Sequence, residues 1–127
     1  MDGKVNVINW FEISVSDIKR AKKFYETIFE IEMSEMSMLG SDMAFFPMED
    51  GNGKVSGALV QGPMHTASDK GVLIYMNANP DLNTVLDKIE GAGGKVVMPK
   101  TEIGPDMGFM AFFIDTEANK IGLHSSK

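Results

Sequence analysis

The chain has 127 residues, 43% of them hydrophobic and 24% charged, with a net charge of −6. That suits a single domain over residues 1–127, and the acidic balance argues against nucleic acid as a partner, since phosphate binding needs a dense basic face. The absence of cysteine excludes disulfides, thiolate catalysis and thiolate-bound zinc. No apolar run reaches membrane-spanning length and the N-terminus has no apolar signal core, so no membrane association and a cytoplasmic location are expected.

Taken in chain order, Asn9 to Val15 alternates as a half-buried strand does, with Phe11, Ile13 and Val15 on one face and Trp10, Glu12 and Ser14 on the other. Ser16-Asp17 offers a helix N-cap. Ile18, Ala21, Phe24, Tyr25 and Ile28 follow at helical spacing, with Lys19, Arg20, Lys22 and Lys23 forming the solvated side. Strands are expected over 31–38, 42–48 and about 54–61. The turn-rich stretch 62–70 reads as a linker in which His65 is solvated.

The order then recurs. Residues 71–77 read as a strand, Asn79 caps a helix with Pro80 at its first position, and Leu82, Val85, Leu86 and Ile89 mark its apolar side. Gly91 to Gly94 closes it. Strands at about 95–98, 108–114 and 119–124 complete the unit. The tetrapeptide Met-Ala-Phe-Phe occurs at 43–46 and again at 110–113, each copy followed by an acidic turn with Asn and Lys. A unit written twice explains this: it is β-α-β-β-β, spanning about 5–61 and 71–125. The expected fold is α+β, two βαβββ modules forming a curved mixed sheet around a cleft with the helices outside. Eleven methionines suit an irregular core or an adaptable pocket.

Phe11 to Ile18, with Arg20-Ala21 and Phe24-Tyr25, resembles the opening of the vicinal oxygen chelate superfamily. That superfamily holds glyoxalase I, extradiol dioxygenases, and fosfomycin- and bleomycin-resistance proteins. Asp115 to Leu123 resembles its close, and the resemblance covers nearly the whole chain. It implies the paired-module fold, a homodimer and, in metal-using members, ligands on the first and fourth strand of each module. Here those places fall on Trp10, within Ser56 to Ala58, within Val72 to Ile74, and on Gly122. None of these side chains suits a divalent cation, so no metal and no other cofactor is expected.

Alternation puts Trp10, Glu12, Ser14, Tyr75, Asn77 and His124 on the cleft face as candidate ligand-binding residues. Glu102 and Asp106 lie in a loop that could close over it. The expected function is metal-free binding of a small organic molecule, an apolar or cationic ligand gripped by Trp10, Tyr75 and Glu12. Two alternatives stay open. One is a metal-dependent glyoxalase-like lyase or dioxygenase with shifted ligands Glu12 and His124. The other is a metal-free acid–base enzyme using Glu12 or His124 as the catalytic group.

Overall fold

The computed structural model describes residues 1–127. Two βαβββ modules are present, and hydrogen bonding groups their strands into two four-stranded mixed sheets. In the first module β1 (Trp10–Ser14) leads into α1 (Ile18–Phe29), then β2 (Ser34–Met38), β3 (Ser41–Phe45) and β4 (Ser56–Gln61). In the second, β5 (Tyr75–Asn77) leads into α2 (Asn83–Ile89), then β6 (Lys95–Glu102), β7 (Phe109–Ile114) and β8 (Lys120–Ser125). The sheet orders are β1-β4-β3-β2 and β5-β8-β7-β6, with the first and fourth strands of each module parallel. Met-Ala-Phe-Phe does fall at the third strand of each module, with Phe46 one residue past the end of β3. Phe45 lies opposite Ala58 on β4, and Phe112 lies opposite Gly122 on β8.

Several boundaries differ from the sequence expectation. The strand expected from 31 begins at Ser34, because α1 ends in a left-handed turn at Glu30 (φ 54°) and Glu26 Oε2 takes the Met33 N–H. The strand expected to 48 stops at Phe45, just short of Pro47, which has no N–H for a ladder. The strand expected over 54–61 starts at Ser56. Of residues 71–77 only 75–77 form β5. The strand expected over 95–98 runs on to Glu102, and register shifts carry it past Pro99. The second helix is not capped by Asn79. The Asn79-Pro80 bond is cis, Asn79 Oδ1 accepts from Ser126 N–H at 2.7 Å, and α2 starts at Asn83. The N–H of Leu82, the residue before it, goes to Ser125 Oγ at 2.9 Å, and that of Asn83 to Asp81 Oδ1 at 2.9 Å.

One apolar core serves both modules. Ile13, Val15, Phe24, Tyr25 and Phe46 of the first pack with Leu82, Ile89, Ala111, Phe113 and Leu123 of the second. A smaller cluster of Met43, Ala58 and Val60 sits apart from it, with Phe45 against it. Alternation along β1 is as expected: Ile13 and Val15 are buried, while Trp10 and Glu12 are exposed.

The acidic turn between β7 and β8 binds the modules together. Tyr25 Oη donates to Asp115 Oδ2 at 2.7 Å, and Asp115 Oδ1 accepts the N–H of Glu117 and of Asn119. Asn119 Nδ2 donates to Ser14 O at 2.8 Å, and Ser68 N–H donates to Asn119 Oδ1 at 3.0 Å. Glu117 Oε1 accepts from Ser16 N–H, Ser16 Oγ–H and Asp17 N–H at the start of α1. Arg20, one of the basic residues expected on the solvated side, places Nε 2.7 Å from Glu117 Oε2. Burial works to raise the Glu117 pKa, but Arg20, Thr116, Ser16 and the Asp17 N–H outweigh it and hold the carboxyl at about 2. Burial first, and then the Asp115 charge, push the Tyr25 hydroxyl well above its usual range.

Candidate functional site

Strand β1 presents Trp10, Glu12 and Ser14 on the face turned away from the shared core. Trp10 packs on Phe45 with ring centroids 5.9 Å apart, and its indole Nε1–H reaches Glu12 Oε2 at 3.4 Å. The other carboxylate oxygen, Oε1, lies 2.7 Å from His65 Nε2. His65 is therefore not a solvated linker residue. The linker folds back over β1, leaving the imidazole only 23% exposed, with Nδ1 buried and unpartnered. Periodicity carries no signal for this contact, because His65 belongs to no repeating element. A cavity of about 380 Å³ opens beside the pair, lined by Trp10, Glu12, Ser14, Thr66 and Lys120 among others.

The other candidates lie elsewhere. The Tyr75 ring tilts on Phe112 at 5.9 Å, and its hydroxyl is 4.0 Å from the Met110 sulfur. Asn77 Oδ1 accepts the Asn79 N–H within a local turn. His124 Nε2 is 3.0 Å from Met107 O and lines a cavity of about 400 Å³ with Glu102 and Asp106. Glu12, Tyr75 and His124 thus line three separate cavities within one chain.

The cavity lined by Tyr75 is the largest of the three, about 820 Å³, with twelve hydrophobic residues among its sixteen. Phe11, Phe29, Ile31, Phe46, Ile74 and Tyr75 are among its apolar lining, with Asn6, Ser56 and Asn77 as polar groups. Its walls come from the core-facing side of β1, the end of α1, and residues 6–8 and 72–77. It shares Ile8, Phe11, Val72 and Ile74 with the cavity beside Glu12. Sequence reasoning missed this cleft. Phe11 read as a residue of the buried face, and in part it is, but the core is open where β5 begins late.

Register now fixes the places where metal ligands were sought. Glu12 faces Ala58 on β4, as Tyr75 faces Gly122 on β8. Two residues earlier stand Trp10 and Leu73. A side chain at 122 is prevented by Tyr75, whose ring lies 2.7 Å from where a Cβ would sit. Nowhere do three His, Asp or Glu side chains converge to hold a metal ion. The donors present do not fit a divalent cation.

The fold and these sites define a paired-module scaffold with one large, mostly apolar cleft. The sequence model of the Glyoxalase/Bleomycin resistance protein/Dioxygenase superfamily matches residues 7–123, and the chain belongs to that superfamily. It is 31% identical over 118 residues to the "Putative glyoxylase CFP32" proteins of Mycobacterium bovis and Mycobacterium tuberculosis, which cover 91% of this chain. The chain spans only 44% of the length of those relatives. The fold is similar to glyoxalase I from Zea mays, with a TM-score of 0.67 at 18% identity over 93% of this chain and 45% of that one. It is also similar to TnmS3, an antibiotic binding protein from Streptomyces sp. CB03234, with a TM-score of 0.62 at 19% identity over 99% and 100% of the two chains. The fosfomycin resistance protein FosX of Listeria monocytogenes gives a TM-score of 0.64 at 14% identity over 97% and 95%. No helix of the chain is long and apolar enough to cross a membrane.

Proposed function

We propose that the chain binds a small organic molecule of largely apolar surface, without a resident metal. The observation that carries this reading is the cleft of about 820 Å³ walled by Phe11, Phe29, Ile31, Phe46 and Tyr75. Its size and lining are those of small-molecule sites. Support also comes from TnmS3, which shares the fold and is described as binding an antibiotic. The metal-dependent alternative with Glu12 and His124 as ligands is disfavoured, because the two lie in different cavities.

A neutral apolar dye, Nile red, is a direct probe. One saturable site is expected. Val55 lines the cleft and is already 39% exposed, so Val55→Glu places a carboxylate in the wall at small cost to folding. That change should weaken the dye by tenfold or more, about 1.4 kcal/mol. Unsaturable binding, or equal affinity in the variant, would count against the cleft.

The proposal includes a homodimer. Trp10, Met36, Met38, Leu39 and Tyr75 are apolar and exposed in the single chain, surface that a second copy would cover in part. Light scattering should return twice the 13.9 kDa chain mass. A mass of one chain at micromolar concentration would remove the dimer.

A further inference from the structure

The Glu12–His65 pair lies outside the apolar cleft and is not needed to hold an apolar ligand. We infer that Glu12 is the base of a metal-free proton-transfer site and that His65 is its positioning residue. Three observations carry this. The carboxylate is asymmetrically held: Oε1 is fixed by His65 at 2.7 Å, while Oε2 meets only a long 3.4 Å contact from Trp10. Oε2 is thus the less engaged of the two oxygens. Next, the carboxylate opens on a cavity of about 380 Å³ that holds Ser14, Thr66 and Lys120 as further polar groups. Finally, His65 Nδ1 is buried and unpartnered, so the imidazole's one side-chain hydrogen bond is with Glu12. A histidine committed in this way fixes the rotamer of the carboxylate and leaves the carboxylate to touch the substrate.

The substrate class is a neutral carbon acid with an aromatic or apolar body, which could lean on Trp10 and on Ile8, Phe11, Val72 and Ile74, shared with the larger cleft. The chemistry needs no oxidant or reductant. The proton passes from carbon to Glu12 Oε2, and the C–H electron pair is taken up by the substrate. It either delocalises onto a neighbouring electron-withdrawing group or expels a leaving group.

The probe 5-nitrobenzisoxazole reports this step. Removal of its C3 proton forms the nitrile, breaks the N–O bond and leaves the electron pair on a coloured phenolate. The wild-type chain should convert it on the order of a hundredfold faster than acetate at equal concentration, the gain typical of a positioned base. Glu12→Gln, nearly isosteric, should lose at least tenfold in kcat. His65→Ala should lower kcat with KM within about twofold, and His65→Gln, which keeps an N–H donor, should recover part of the rate. A wild-type rate no better than acetate, a fully active Glu12→Gln, or equal rates in His65→Ala and wild type would each overturn the inference. Nile red affinity, measured on the same preparations, reports the cleft separately, so failure of one reading does not pass for failure of the other.

Discussion

Replacing Glu117 by Gln is expected to cost about 3 kcal/mol of stability in urea denaturation at neutral pH. The magnitude follows from the carboxyl's displacement from its usual 4.5 to about 2, at roughly 1.4 kcal/mol for each pH unit. The Glu117 side chain is inaccessible to solvent while its partner Arg20 is half-exposed, so screening trims the full shift to about 3 kcal/mol. Gln would keep the shape but bring an NH₂ against the N–H groups of Ser16 and Asp17 or the Arg20 guanidinium. The same contact sets a pH dependence. Because the folded carboxyl lies below its unfolded value, its contribution is whole above pH 4.5 and is lost as pH falls from there towards about 2. Wild type should lose stability across that window, while Glu117→Gln should show a flatter profile there. A variant within about 0.5 kcal/mol of wild type would show that the latch between the modules contributes little.

The repeated Met-Ala-Phe-Phe makes the second large prediction, because its two phenylalanines face opposite ways. Phe46 and Phe113 are buried in the shared core, at 7% and 0% exposure, whereas Phe45 and Phe112 lie on the other face against Trp10 and Tyr75. Phe113→Ala should therefore cost about 3–5 kcal/mol, the usual result of emptying a packed aromatic site. Phe112→Ala should cost under about 1.5 kcal/mol, chiefly the lost ring contact with Tyr75. Phe46→Ala and Phe45→Ala should divide in the same direction in the first module. Equal costs within each pair would mean that the two copies do not occupy matching strand positions.

The duplication, the order of elements and the buried faces of β1 and α1 were legible because they are written as local periodicity. The ends of elements were less so. Pro47 does shorten β3, yet Pro99 sits inside β6, where shifts of register accommodate it. Asn79-Pro80 has the composition of a helix start, but Asn79 satisfies Ser126 instead and the helix begins at Asn83. The site was least legible. Alternation correctly turned Glu12 and Trp10 away from the core, but it has no reach across a linker, so it could not bring His65 onto Glu12. Nor could it see that Phe11, on the face expected to be buried, leaves a gap against Phe29 and Ile74. A cavity is a property of what fails to meet, and periodicity reports only which side each residue is on.

On the proposed function, a neutral apolar ligand such as Nile red enters the apolar cleft and not the opposite face of the first sheet. Methyl-resolved NMR of a chain labelled at Ile and Met, titrated with Nile red, tests it directly. Ile31, Ile74 and Met76 line the cleft, while Met36 and Met43 pair across β2 and β3 on the other face. The account predicts saturable shifts at Ile31, Ile74 and Met76, with Met36 and Met43 unmoved. Shifts concentrated at Met36 and Met43, with the cleft methyls silent, would contradict it.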